Sequence, residues 1–93
     1  VFRANTDYSQ GHCYGPRKCL NGSSDVFVNG KPVVRKTDNY GQTHTCGDDT
    51  HSMGPAVVGS STVLVNGLGI HRTGDLISCT DRAGLGSPDV FAN

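Results

Sequence analysis

The sequence predicts an all-β fold of short β-hairpins with pseudo-threefold symmetry, and three observations carry that prediction. One phrase occurs three times, as "GSSDVFVNG" at 22–30, "GSSTVLVNG" at 59–67 and "GSPDVFAN" at 86–93. Two copies end in Asn-Gly, where both residues tolerate the positive φ of a type I′ hairpin turn. No stretch has a helical period, and Gly, Pro, Ser and Asn punctuate the whole chain. A lone hairpin cannot bury its own faces, whereas three around one axis can bury one another's.

Taken in order, the chain reads as a single domain, 1–93, with an N-terminal segment 1–21 outside the repeat and units at about 22–38, 59–75 and 86–93. In the first unit "VFV" (26–28) is the opening strand, Asn29-Gly30 the turn and "KPVVR" (31–35) the return. The second unit repeats this as "VLV" (63–65), Asn66-Gly67 and "LGIHR" (68–72). Without a gap, Arg35 pairs with Arg72 and Asp38 with Asp75. Pro32 and Gly69 fall early in the returns, where an edge position tolerates a missing amide or side chain. The apolar runs do not alternate with polar residues, so both faces of each hairpin are expected to be covered. The third copy has an opening strand and no return, which predicts that the C-terminal segment is tied in as a strand.

Composition narrows the function. Only 34% of the 93 residues are hydrophobic, Trp is absent and Gly supplies 13 positions. Burial alone is then a thin source of stability, and small domains of this kind add disulfides, a metal or a partner. Net charge is zero, and neither sign forms a block, so the basic footprint of a nucleic-acid binder is missing. No apolar run approaches the roughly 18 residues of a membrane span, and "VFRANTDYSQ" lacks the layout of a secretory signal. The expectation is a soluble protein made in the cytoplasm, whose four cysteines are reduced thiols or metal ligands rather than bridges.

His and Cys ignore the repeat and gather in the connectors: "GHCYGPRKC", "HTCGDDTH" and "ISCTD". His12, His44, His51 and Cys79 would together give the three nitrogens and one sulfur of a closed tetrahedral zinc site, tying three loops to one point. Spacing alone leaves the choice open between such a site and four solvated histidines, because His-x₆-His is no recognised finger pattern. His71 stands where the first unit has Val34 and reads as a strand residue. Cys13, Cys19 and Cys46 read as small packed side chains, with Cys46 the substitute should Cys79 not be a ligand.

"GH" near the start, "GSSDVFVNGKPVVR", the His-rich middle loop, "GSSTVLVNG", a late Cys and the terminal "GSPDVF" resemble the PAAR-repeat family over about residues 11–93. The resemblance implies a small cone, zinc-stapled near its apex, that caps and sharpens the trimeric β-helical spike of a contractile injection machine (phage tail or type VI secretion). It implies one structural Zn²⁺ held by His12, His44, His51 and Cys79, although the late element here is Cys79-Thr80 where the family has Cys-Gly. It also implies assembly in the bacterial cytoplasm, one tip chain per spike trimer, and contact with the target membrane on injection. Neither nucleic acid nor a small-molecule substrate is among the implied partners. For the spike face the candidates are the hairpin turns Val28, Asn29 and Gly30 with Val65, Asn66 and Gly67.

Two other readings compete. A small zinc-dependent hydrolase would take its base from Asp48, Asp49 or Asp75 and its nucleophile from Ser61 or Ser78. Residues that recur in each unit are more plausibly architectural, and three His with one Cys leave zinc no open position, so the reading is of a protein that is not an enzyme. A disulfide-stapled extracellular binding module would need bridges such as Cys13–Cys19 or Cys46–Cys79.

Overall fold

A computed structural model describes all 93 residues, and it contains no helix. Six short strands form three separate antiparallel hairpins: β1 (Phe27–Val28) with β2 (Lys31–Pro32), β3 (Thr43–Cys46) with β4 (Asp49–Ser52), and β5 (Leu64–Val65) with β6 (Leu68–Gly69). The body is elongated, 38 × 22 × 22 Å.

Threefold character is written in the backbone hydrogen bonds. Phe2 N–H donates to His71 O (3.0 Å), His71 N–H to Val34 O (2.8 Å) and Val34 N–H to Phe2 O (2.9 Å), closing a ring around an axis. The ring identifies the missing return segment. "VFR" at 1–3 takes the place that "VVR" (33–35) and "IHR" (70–72) take in the other units. The Val1 nitrogen donates to Val90 O (3.0 Å) as Val33 N does to Val26 O (3.2 Å) and Ile70 N to Val63 O (3.0 Å). Ser87, Ser23 and Ser60 then donate their amides to the carbonyls of Val1, Val33 and Ile70 at 2.8–2.9 Å. Residues 86–93 are thus tied in by backbone hydrogen bonds but form no strand of their own, and residues 1–3, placed by the sequence reading outside the repeat, stand where the returns of the other units stand.

Each unit carries the same local devices. Ser23, Ser60 and Ser87 are buried, and their hydroxyls accept the amides of Val26, Val63 and Val90 at 2.9–3.0 Å, turning the chain into the opening strand. Arg3–Asp7, Arg35–Asp38 and Arg72–Asp75 form charge-assisted pairs at 2.7–2.8 Å, and the same carboxylates accept the backbone N–H of their arginines. The glycines that open the units, Gly22, Gly59 and Gly86, pack so tightly that a Cβ would run into the carbonyls of Val33, Gly69 and Val1.

The core has two layers on the axis. Val1, Val33, Val65 and Ile70 form one, with Val28 and Ala92 against it. Phe2, Val34, Tyr40, Met53 and Ile77 dominate the other, on which Cys79 packs. Burying Phe2, Met53 or Ile77 contributes about 1.5–3 kcal/mol each. Only 25 of 93 residues are buried, so cross-links and hydrogen-bonded ties matter more here than in a larger domain. Cover on both faces of the hairpins does not hold. Phe27, Leu64 and Phe91, one from each unit, are 55%, 58% and 78% exposed, because the units pack around the axis through one face only.

Candidate metal centre

Beyond the second core layer, away from the hairpins β1–β2 and β5–β6, three segments converge. The longest hairpin, β3–β4, has no apolar anchor in its strands. It is held by four paired positions and a turn with Gly47 at φ +61°. Its register sets His44 directly opposite His51 on one face. Their rings stack with centroids 4.6 Å apart, and their Nε2 atoms are 2.6 Å apart. Nδ1–H of His44 donates to Gly15 O at 3.4 Å, which assigns the tautomer and leaves its Nε2 lone pair facing His51. Burial holds the His44 pKa below its ordinary value, and the neighbouring His51 and His12 add to that.

His12 comes from the loop before the first unit, edge-on to His44 with centroids 5.3 Å apart. Gly11 N–H donates to Asp81 Oδ1 at 2.9 Å, which fixes the approach of this loop. Tyr14 stacks on His51 (4.0 Å, 16°), and its hydroxyl donates to Asp49 Oδ2 at 2.8 Å, so an aromatic ring lies against the histidine pair. Cys79 arrives on a tight turn in which Thr80 N–H donates to Ile77 O (2.9 Å) and Ile77 N–H to Asp81 O (2.8 Å). Thr80 sits at φ 75°, a conformation better suited to glycine. Burial raises the Cys79 thiol pKa, and hydrogen bonding from the Asp81 backbone opposes the rise.

One donor atom from each of His12, His44, His51 and Cys79 lies within 4.8 Å of the others. These are the four residues named from the connectors, and together they could hold a metal ion. The donor chemistry fits one. Two imidazole nitrogens 2.6 Å apart point at one spot, and the His44 Nε2 lone pair there can take a proton from His51 or face a cation. His71 lies elsewhere, fully buried on the axis, where Nδ1–H donates to Val58 O (2.8 Å) and Nε2 accepts from the Tyr40 hydroxyl (3.1 Å).

The cysteines differ from the sequence reading at two positions. Cys13 and Cys46, expected as reduced and packed, form a disulfide with Cα atoms 5.3 Å apart. Neither of the bridges weighed from the sequence, Cys13–Cys19 or Cys46–Cys79, is present, since Cys19 and Cys79 are free. Cys13 leaves the His12 loop and Cys46 ends β3 beside His44, so the fold that gathers the histidines brings the two sulfurs together. Cys46 is therefore in the bridge and not a substitute ligand. Cys19 is buried, as expected, with its Sγ donating to Asn21 O at 3.2 Å. Asp81, which no motif singled out, is buried with Oδ2 unpartnered, and its Oδ1 positions the His12 loop.

A helix-free body of three related units with a His₃Cys group in its connectors defines a small, symmetric β-protein class. The family model described as "PAAR motif" matches residues 46–93, just over half of the chain, and the protein belongs to the PAAR-motif family. No curated protein matches the chain.

Proposed function

We propose that this chain is a structural spike-tip protein, which caps and sharpens the trimeric spike of a contractile injection machine and helps it pierce the target envelope. Membership of the PAAR-motif family supports the class. The observation that carries the finer reading is a single chain presenting one apolar side chain from each of three equivalent positions, Phe27, Leu64 and Phe91. A trimer ends in a face with true threefold symmetry. A single chain of three similar units can meet that face with three matching patches, one tip per trimer. Val26, Val63 and Val90, each 36–37% exposed, flank the triad. The turn residues proposed from sequence adjoin it, and Gly30 and Gly67 have open space before them. Val65 turns into the core, and Asn29 and Asn66 are engaged by neighbouring units, so the exposed triad is the stronger candidate.

At the other end, one zinc ion held by His12, His44, His51 and Cys79 would fasten three connectors that share little apolar contact. Three imidazoles and a thiolate suit zinc, and four ligands close the site, which favours a structural role over catalysis. Asp75, a candidate base in the hydrolase reading, is paired with Arg72, and Asp49 accepts from Tyr14. Tip assembly in the bacterial cytoplasm and delivery to the target envelope follow from the same reading.

Capture of the cognate trimeric spike protein tests the first part. Phe27→Asp, Leu64→Asp and Phe91→Asp are expected to abolish capture with melting temperature unchanged; capture retained by all three overturns the docking face. Elemental analysis tests the second, with one zinc per chain expected for the protein and none for His44→Ala or Cys79→Ala.

A further inference from the structure

The Cys13–Cys46 bridge joins two of the three segments that the His/Cys group gathers. His12 and Cys13 are adjacent in one loop, and His44 and Cys46 lie on β3 with His51 opposite. No backbone–backbone hydrogen bond connects residues 11–16 to β3 or β4; the loop's own bond, His12 N–H to Tyr14 O, is internal. The ties across the gap are side-chain ones: Tyr14 to Asp49, His44 to Gly15, Arg17 to Thr43, and the disulfide. Cys13 is exposed and Cys46 partly so, within reach of a small thiol or disulfide, whereas Cys19 is fully buried.

We propose that Cys13 and Cys46 are a reversible thiol–disulfide pair whose state sets how tightly the apex holds its metal; this rests on reading the apex as a metal site. With the pair reduced, a metal ion must itself bring the His12 loop onto the hairpin and bear the loss of its conformational freedom. With the pair oxidised, the cross-link has already placed His12 against His44 and His51, and the ion meets an assembled site. Linkage makes the effect reciprocal: an oxidised pair tightens the metal, and a bound metal makes the pair harder to reduce by the same factor. Oxidation is by a low-molecular-weight disulfide RSSR. One cysteine, as thiolate, attacks RSSR and releases RSH; the other then displaces a second RSH from the mixed disulfide. Two thiols lose two protons and two electrons, and RSSR becomes two RSH.

The test uses the full chain and Zn²⁺ alone, in competition with a chromophoric chelator. We expect the oxidised protein to bind Zn²⁺ at least tenfold more tightly than both the phosphine-reduced protein and the Cys13→Ser/Cys46→Ser variant. In glutathione buffers the midpoint of the pair then falls by about 30 mV when Zn²⁺ is present, the equivalent of tenfold for a two-electron couple. Equal Zn²⁺ affinity in the two redox states overturns the proposal and leaves the metal site standing. Tighter binding by the reduced form overturns it too, since the thiolates would then be acting as ligands, and so do four free thiols at every glutathione ratio. Failure of both forms to bind Zn²⁺ sinks the metal reading itself.

Discussion

At Thr37 and Thr80 the backbone is held at φ 81° and 75°, where a β-branched residue is strained. The unit that contains Gly74 meets the same turn as Thr37 with a glycine, at φ 87°, and a Cβ added there would touch nothing within 4 Å. The strain at Thr37 is therefore conformational rather than steric. Such positions cost about 1–3 kcal/mol, against roughly 0.5–1 kcal/mol that glycine adds in unfolded-chain freedom. Thr37→Gly and Thr80→Gly are each expected to stabilise by about 1 kcal/mol in urea unfolding, and a loss of stability in both would refute the account. His71 makes a second point at this scale. Burial lowers its pKa, so as pH falls below about 6.5 the unfolded chain takes up a proton that the folded protein refuses, and stability drops. Burial of Cys19 acts at the other limb. Its thiol is pushed up to about 12, so above about pH 9 the unfolded chain ionises first and stability falls again. Urea midpoints of the metal-free protein should therefore peak between about pH 7 and 8.5. His71→Gln, which can still donate to Val58 O and accept from Tyr40, is expected to flatten the acid limb.

Between units, the asparagine of each hairpin turn does two tasks. Asn66 adopts the φ of 54° that a type I′ turn needs, and its side chain reaches the first unit. Oδ1 accepts from Ser23 Oγ (2.8 Å) and Arg35 Nη1 (2.9 Å), while Nδ2 donates to Asp25 Oδ1 (2.9 Å). Hydrogen bonding from Asn66 holds the Asp25 carboxyl below the usual carboxylate range. Asn29 repeats the arrangement towards Ser87 and Asp89, and the Asn93 carbonyl accepts from Ser60. Asn66→Gly keeps the turn and loses the tie, for about 1 kcal/mol; Asn66→Ala loses both, for about 2 kcal/mol. Equal costs for the two in urea unfolding would mean that the inter-unit tie contributes nothing. These same turns are what made β1–β2 and β5–β6 legible in the sequence, since Asn-Gly directly after an apolar run marks little else than a hairpin turn. The return segment 1–3 was hidden because its pair, Arg3–Asp7, is spaced by four residues where the others are spaced by three, which spoils an ungapped alignment. Hairpin β3–β4 was hidden for a different reason: "THTC" and "DTHS" hold no apolar residue with which to mark a period. The four metal-site candidates were legible because they break the repeat, and the Cys13–Cys46 pairing was not, because connectivity depends on how two loops fold together.

On the scale of the whole molecule, the two ends are held by different physics. The hairpin end has the closed ring of Phe2, Val34 and His71 backbone bonds, two core layers and the asparagine ties. The connector end has one polar hairpin, a loop without backbone bonds to it, the disulfide and the His/Cys group. Binding at a structural zinc site supplies about 10–16 kcal/mol in small peptides, enough to order such loops when little else does. Removal of metal from the reduced protein should therefore act locally. With a chelator and a reductant present, amides of residues 11–16 and 43–52 are expected to exchange with solvent orders of magnitude faster, while those of Phe2, Val34 and His71 keep the protection of global unfolding. If the ring amides lose protection to the same degree, the two ends unfold as one cooperative unit, and the ion is a keystone for the whole body rather than a clasp for its far end. If no amide changes, the polar hairpin and its aromatic lid suffice by themselves, and a structural role for the ion falls.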